Sequence, residues 1–217
     1  AAMVSAMDDG VGRVMNKLDA LGLTENTIVF FLSDNGGPEK NNSSDNGVLR
    51  AGKGHLFEGG IHVPFAMQWP GKIPSGTIYE SSIISFDIFA TAIANSVKPI
   101  KTKNDLDGVD LIPYITGVNK ATPHDYLFWR KFDADNHAIR NSKGEKVVML
   151  KKKSMLFDLD KDISETNNLI QKQKEVFEQL EETYQNWNSQ MLDPIFMGLK
   201  QDSKYSKSHP NRYKKLK

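Results

Sequence analysis

Two short stretches of this chain carry side chains whose type and order could do chemistry. The first is Asp34-Asn35-Gly36-Gly37, one residue after the apolar run that ends at Leu32. A carboxylate beside a carboxamide offers hard oxygen donors, which suit Ca²⁺ or Mg²⁺ and suit zinc poorly. The glycines let backbone approach a bound group closely. The same residue types are also the commonest turn formers, so chemistry alone weighs a metal site and a plain turn equally. The second stretch is Lys53, set between Gly52 and Gly54 and followed by Glu58-Gly59-Gly60. An ammonium on a glycine-rich loop is a good anion ligand, a mobile point charge beside exposed N–H groups. Most lysines on such loops are nonetheless only solvated.

The other constellations read as structural. The chain has no cysteine, which removes disulfides, thiolate metal sites and thiol nucleophiles together. The histidines, at positions 55, 62, 124, 137 and 209, lack metal-ligand spacing. His55 and His62 share a loop region with Lys53 and could line a substrate cleft, though structural or exposed roles are commoner for each. Asp8 and Asp9 are helix neighbours and point in different directions. Two acidic runs, around Asp105 and from Asp158 to Asp162, hint at calcium loops, but Lys103 and Ile163 stand where Asp and Gly are needed. Asn41 and Asn42 each begin an N-x-S sequon. Ser208-His209-Pro210-Asn211-Arg212 fits S-x-P-x-R, yet it lies in a basic stretch with no apolar helix after it and is read as coincidence.

The elements that must position these residues follow from composition and periodicity. At 217 residues the length suits one full domain plus a smaller appendage. Hydrophobic residues at 39%, with mean hydropathy −0.48, exclude disordered and fibrous classes. A net charge of +1 gives no global field for nucleic acid or an anionic membrane. The longest apolar run, 28–32, is far short of a membrane span. Val4, Met7, Val11, Val14, Met15, Leu18 and Leu21 fall on one helix face, and Gly22 ends that helix. Residues 27–32 have the β-branched and aromatic pattern of a central strand buried on both faces of an α/β sheet. A long surface loop over 38–54 and a short strand over 64–69 follow. Apolar spacing predicts a helix from Phe86 to Val97, capped by Ser85 or Asp87. After a boundary near 117–122, strands are expected at 126–132, 137–141, 147–151 and 155–158, antiparallel, with Lys143-Gly144 as a turn. A helix is expected over 165–188 and a solvated basic tail from Lys200.

In chain order these pieces resemble the sulfatase family. Residues 3–21 look like its AMV-x-x-MDDGVG-x-V helix, and residues 26–37 like its NTIVFFLSDNGG signature. Residues 52–64 are similar to its GKG-x-x-x-EGGIRVP segment, with His62 where Arg is usual. Residues 107–117 resemble the segment closing the main domain. Leu156-Phe157-Asp158-Leu159, with Glu165, Asn168 and Leu169, resembles the LYDL-x-x-D-x-x-E-x-x-NL signature of a small C-terminal subdomain.

The resemblance implies an α/β fold: the C-terminal part of an alkaline-phosphatase-like sulfatase domain over 1–119, a small α+β subdomain over 120–199 and the tail over 200–217. It implies that Asp34 and Asn35 correspond to calcium ligands and that Lys53 corresponds to the catalytic lysine that contacts the sulfate group; His55 is a candidate substrate contact from its place on the same loop. The family hydrolyses sulfate esters with a formylglycine made from a C/S-x-P-x-R motif, expected here in sequence upstream of residue 1. This chain is thus expected to be the C-terminal portion of such an enzyme, weak in metal binding and exposing apolar edges when isolated. Implied partners are a sulfated small molecule or polysaccharide and the upstream part of the same protein, with no nucleic acid and no membrane; a periplasmic or extracellular location is the family habit. The alternatives are a phosphatase or phosphodiesterase of the same superfamily, which usually places Asp-His where this chain has Asp34-Asn35, and a non-catalytic binding fragment.

Overall fold

The computed structural model describes residues 1–39, 44–98, 104–151, 153–194 and 207–208. The sequons at Asn41 and Asn42, and nearly all of the expected basic tail with its S-x-P-x-R match, lie outside the described residues. Packing divides the chain into two units, Ala1–Ser33 with Pro64–Pro123, and Asp34–Val63 with His124–Lys217.

In the first unit, helix α1 (Ala2–Ala20) forms where the apolar spacing places it. Gly22, at φ +63°, turns the chain out, its N–H donating to the Asp19 carbonyl. The apolar stripe is not covered: no residue of α1 is buried, and Met3 is 87% exposed. Strand β1 (Val29–Leu32) pairs antiparallel with β2 (Phe65–Gln68), Val29 opposite Gln68 and Leu32 opposite Phe65. The expected burial on both faces is not found. A strand is buried twice only where layers cover both faces. Among the described residues β2 is the one ladder partner of β1, so Phe30 packs against Phe65 while Phe31 stays 44% exposed.

Helix α3 (Phe86–Ala94) follows the four-residue helix α2 (Glu58–Ile61) in the chain. Ser85 occupies the N-cap position without a side-chain cap bond; Asp87 supplies the tie instead. Its buried carboxylate accepts from the N–H groups of Ile84 at 2.8 Å and Val109 at 2.9 Å. Thr91 Oγ1 accepts from the Leu111 N–H at 3.0 Å, which fixes the approach to helix α4 (Ile112–Ile115).

The second unit is built on a consecutive antiparallel sheet of β3 (Tyr126–Lys131), β4 (Asn136–Asn141), β5 (Glu145–Leu150) and β6 (Lys153–Asp158), as the alternation predicts. Gly144, at φ +79°, makes the β4–β5 turn. Successive side chains point to opposite faces. Ile139, Val147 and Leu156 meet Leu180 and Tyr184 of helix α5 (Lys174–Asn188), with Trp187 stacked on Phe128 at 4.7 Å. Ala138, Val148, Met155 and Phe157 face the other way and pack against Leu56 and Phe57. The sheet therefore carries α5 on one face and part of the 34–63 segment on the other.

Helix α5 starts at Lys174, not at residue 165. Asp162 accepts from the Thr166 and Asn167 N–H groups at 2.8 and 2.7 Å, and Asn168 Oδ1 accepts from those of Leu156 and Ile170 at 3.0 and 3.1 Å. These side-chain bonds compete with helical ones and hold the segment in turns. Glu165 itself adopts φ +53°. Among the described residues no helix is long and apolar enough to cross a membrane.

Candidate functional site

Both stretches singled out by residue type lie in the second unit, and backbone contacts bring their loops together. The Gly36 N–H donates to the Gly60 carbonyl at 3.1 Å, and the Lys53 N–H donates to the Gly37 carbonyl at 3.3 Å. The approach leaves no room for side chains. A Cβ on Gly36 would lie 1.7 Å from the Gly59 carbonyl oxygen, and one on Gly52 would lie 2.1 Å from that of Gly37. Asn46 clamps the pair: its Oδ1 accepts from the Gly37 N–H at 2.9 Å, while its Nδ2 donates to the carbonyls of Gly37 and Ala51 at 3.0 and 2.9 Å.

Asp34 is exposed, and its Oδ1 accepts from the Asn35 N–H at 3.0 Å. Asn35 is half-buried and donates from Nδ2 to the Gly36 carbonyl at 3.2 Å. In kind, this donor set fits a hard cation. In number it falls short, since two side chains supply part of the six to eight oxygens that Ca²⁺ takes. Among the described residues no group of three or more His, Cys, Asp or Glu could hold a metal ion.

Lys53 and His55 are exposed on a loop held by the Gly54 backbone at φ +85° and by the His55 N–H on the Gly52 carbonyl. From the end of β3, Lys131 Nζ donates to the Gly54 carbonyl at 2.7 Å.

Behind that loop lies a cluster of charges whose centre, Lys146 with Glu58 and Glu165, is buried. Lys146 Nζ, on β5, reaches Glu58 Oε1 at 2.7 Å and Glu165 Oε1 at 2.8 Å. Glu165 Oε2 accepts from the Glu58 N–H at 2.7 Å. His62 Nδ1 sits 2.9 Å from Glu58 Oε2, and Arg140 Nη1 3.9 Å from the same oxygen. Arg50 donates to the Glu165 carbonyl at 2.6 Å and lies 4.0 Å over the Phe57 ring. Burial by itself raises a carboxyl pKa. At Glu58 the His62 hydrogen bond and the Lys146 charge outweigh that burial and lower the pKa to about 2. At Glu165 burial wins over Lys146, and the pKa is raised.

Residue type alone pointed to Asp34, Asn35 and Lys53, but not to the residues that hold them. Asn46 lies in a polar loop with no local signal. Lys146 did carry one: a lysine two positions from Val148, on the inward face of a strand, requires a buried carboxylate partner. Of the two acidic runs that hinted at calcium loops, the second serves turns: Asp158 pairs with Lys161, and Asp162 caps its own loop. His137 contacts Glu181 at 3.0 Å and stacks on Tyr184, which is packing against α5.

Residues 1–95 match the family model described as Sulfatase, and residues 51–190 match the model described as N-sulphoglucosamine sulphohydrolase, C-terminal. The chain belongs to the sulfatase family. This sulfatase chain is 37% identical over 132 residues to the steryl-sulfatase of Rattus norvegicus, covering 58% of the chain and 23% of that enzyme. It is 40% identical over 131 residues to arylsulfatase A of Bos taurus, covering 58% of the chain and 25% of that enzyme. Its fold matches the crystal structure of Ps i-CgsB in complex with k-i-k-neocarrahexaose with TM-score 0.84 and 25% identity, over 96% of this chain and 46% of that one. The chain thus spans about a quarter of the curated relatives' length. The α/β sulfatase fold expected from the motifs, with its antiparallel sheet and helix, is the fold found.

Proposed function

We propose that this chain is the C-terminal portion of a sulfuric ester hydrolase that releases sulfate from a sulfated carbohydrate or aryl ester. The observation that carries the reading is the union of two loops: the Asp34-Asn35 turn and the Lys53 turn are fastened through Gly36, Gly37, Asn46 and Gly60. That union sets hard oxygen donors and an exposed ammonium on one rigid backbone patch, as recognition of an oxyanion requires. On this reading residues 1–119 belong to the main catalytic domain and the later sheet and helix to a small subdomain.

Asp34 and Asn35 would hold a calcium ion together with ligands from sequence outside this chain. The ion would supply positive charge where the sulfuryl oxygens gather negative charge. Lys53 would bind one of those oxygens through its ammonium, and His55 would contact the sugar or aryl part. The formylglycine nucleophile is expected from a C/S-x-P-x-R motif upstream of Ala1. The carbohydrate-bound form of Ps i-CgsB supports a saccharide substrate in preference to a steroid.

The test is expression of the reading frame with its upstream sequence, followed by assay of sulfate release from 4-methylumbelliferyl sulfate and from sulfated oligosaccharides, with calcium and with chelator. Calcium-dependent release that Lys53→Ala abolishes is the expected result. A frame that contains the motif, folds and carries formylglycine, yet releases no sulfate from any of these esters, would overturn the reading.

A further inference from the structure

Lys131 is the one cation of the C-terminal sheet whose ammonium reaches the Lys53 loop among the described residues, and its surroundings differ from those of its neighbour. Arg130 is neutralised: its guanidinium meets Asp193 at 2.7 Å and the Leu192 carbonyl at 3.0 Å. In a strand adjacent side chains face opposite ways. Lys131 therefore shares the face of Trp129, which packs on the cluster of Leu56 and Phe57. Two residues beyond Trp129 the chain reaches the rim of that cluster. There Lys131 Nζ donates to the Gly54 carbonyl at 2.7 Å, and Gly54 is joined covalently to Lys53 on one side and His55 on the other.

The placement is built on both sides. Lys131 is the last residue of β3, in register with Asn136 of β4. Gly54 is held at φ +85°, and Gly60 packs so closely beneath that a Cβ there would lie 2.2 Å from the His55 carbonyl oxygen. Among the described residues neither Lys131 nor Lys53 has a carboxylate within ion-pair distance. An ammonium has three N–H donors. One of them on Lys131 is spent on the Gly54 carbonyl, which fixes the charge in place without neutralising it. Lys53 and Lys131 thus bring two ammonium groups without a carboxylate partner to one loop, the second of them hydrogen-bonded to the carbonyl of the residue after Lys53. A single sulfate ester satisfies Lys53 and leaves Lys131 unpaired.

We propose that Lys131 is a second anion-binding residue of this site, and that the ester bound there carries a further anionic group, a second sulfate or a carboxylate, near the sulfate held by Lys53. The substrate class is a polyanionic saccharide. The inference rests on the sulfatase reading for the identity of the first anion, and it adds a residue from the C-terminal sheet to substrate selection.

The experiment uses the full-length protein and a matched pair of probes, glucosamine 6-sulfate and glucosamine bearing sulfates on both N2 and O6, with binding followed by calorimetry at low and high salt. The wild type is expected to bind the disulfated sugar about tenfold more tightly than the monosulfated one at low salt. Lys131→Gln keeps a donor for the Gly54 carbonyl and loses the charge; it is expected to bring that ratio close to one, while Lys131→Arg preserves it. Hydrolysis of 4-methylumbelliferyl sulfate, which has one anionic group, is measured alongside as the reference for loss of the Lys53 loop itself. A wild-type ratio near one overturns the inference, and so does a ratio that Lys131→Gln leaves intact. If Lys131 only pins the loop, Lys131→Met lowers binding of both sugars and aryl sulfate hydrolysis alike, which also overturns it. A wild type that discriminates the two sugars but hydrolyses no sulfate ester refutes the proposed activity and leaves the anion site standing.

Discussion

Lys146 and Glu58 are 88 residues apart in the chain and 2.7 Å apart in the fold, both closed to solvent. The pair, completed by Glu165, fixes the short helix α2 and the loop before it against the C-terminal sheet. Removing one member of a buried ion pair leaves a charge with nothing to answer it, a loss of about 3–5 kcal/mol. Lys146→Met, close in volume, is therefore expected to destabilise the fold by that amount, because Glu165 would lose the ammonium it faces and Glu58 would keep only His62 and the more distant Arg140. Adding Glu58→Gln and Glu165→Gln is expected to recover much of the loss. Urea denaturation of the single and triple variants checks this, and a Lys146→Met protein within about 1 kcal/mol of wild type would contradict it.

The same cluster sets a pH dependence with opposite signs at its two acids. Glu58, lowered from 4.5 to about 2, contributes stability that is fully present above pH 4.5 and disappears as pH falls towards 2. A shift of that size corresponds to on the order of 3 kcal/mol. Glu165 is raised above 4.5, so its contribution is present below that value and is lost as pH rises through the folded pKa. Glu58→Gln should thus flatten the acid limb of a stability–pH curve. Glu165→Gln should raise stability at neutral pH relative to acid. Denaturation midpoints measured from pH 2 to pH 8 distinguish the two, and equal effects of the two substitutions would refute the assignment.

How much of this was legible in the sequence depends on whether the signal was local. Helix α1, the four-stranded sheet and the Gly144 turn follow from periodicity and turn chemistry within a few residues. Asp34, Asn35 and Lys53 could be singled out by type and glycine context. The start of α5 was misplaced because Asp162 and Asn168 divert the backbone through side-chain bonds that periodicity does not register. The burial of β1 was overread because an apolar run states what a strand can tolerate, not which layers cover it. Lys131 and the partners of Lys146 stayed hidden because each acts across a long sequence separation, and only the fold reveals the encounter; Asn46 acts over nine and five residues, within a loop whose polar composition does not single it out.

Asp34→Ala separates a metal site from a plain turn, the choice that residue chemistry left open. The carboxylate is exposed, with one oxygen on its neighbour's N–H, so little stability depends on it without an ion. In the full-length protein calcium should raise the melting temperature, by mass action on the folded state. Asp34→Ala is expected to weaken that effect by at least tenfold in calcium concentration, as even outer contacts of a metal are worth about 10–100-fold. Asp8→Ala, an exposed carboxylate on α1, serves as the control. Identical calcium titrations for wild type and Asp34→Ala would leave the turn reading in possession.

Asn46 and Gly36 test the union of the two loops. Asn46→Ala deletes three hydrogen bonds to half-buried backbone groups; at about 0.5–1.5 kcal/mol each, the loss should be roughly 2–4 kcal/mol. Gly36→Ala acts on the same contact sterically, because a Cβ placed 1.7 Å from the Gly59 carbonyl oxygen forces backbone to move. Both variants should part the Asp34 loop from the Lys53 loop, so that a protease cuts between residues 38 and 54 before the rest of the chain unfolds. Sulfate release by the full-length protein should then fall further than global stability does. Gly12→Ala, where nothing lies within 4 Å of the added Cβ, should instead stabilise α1 by up to about 1 kcal/mol. If Gly36→Ala resists protease as well as Gly12→Ala does, the loops are not held by this contact, and the joint placement of Asp34, Asn35 and Lys53 needs another cause.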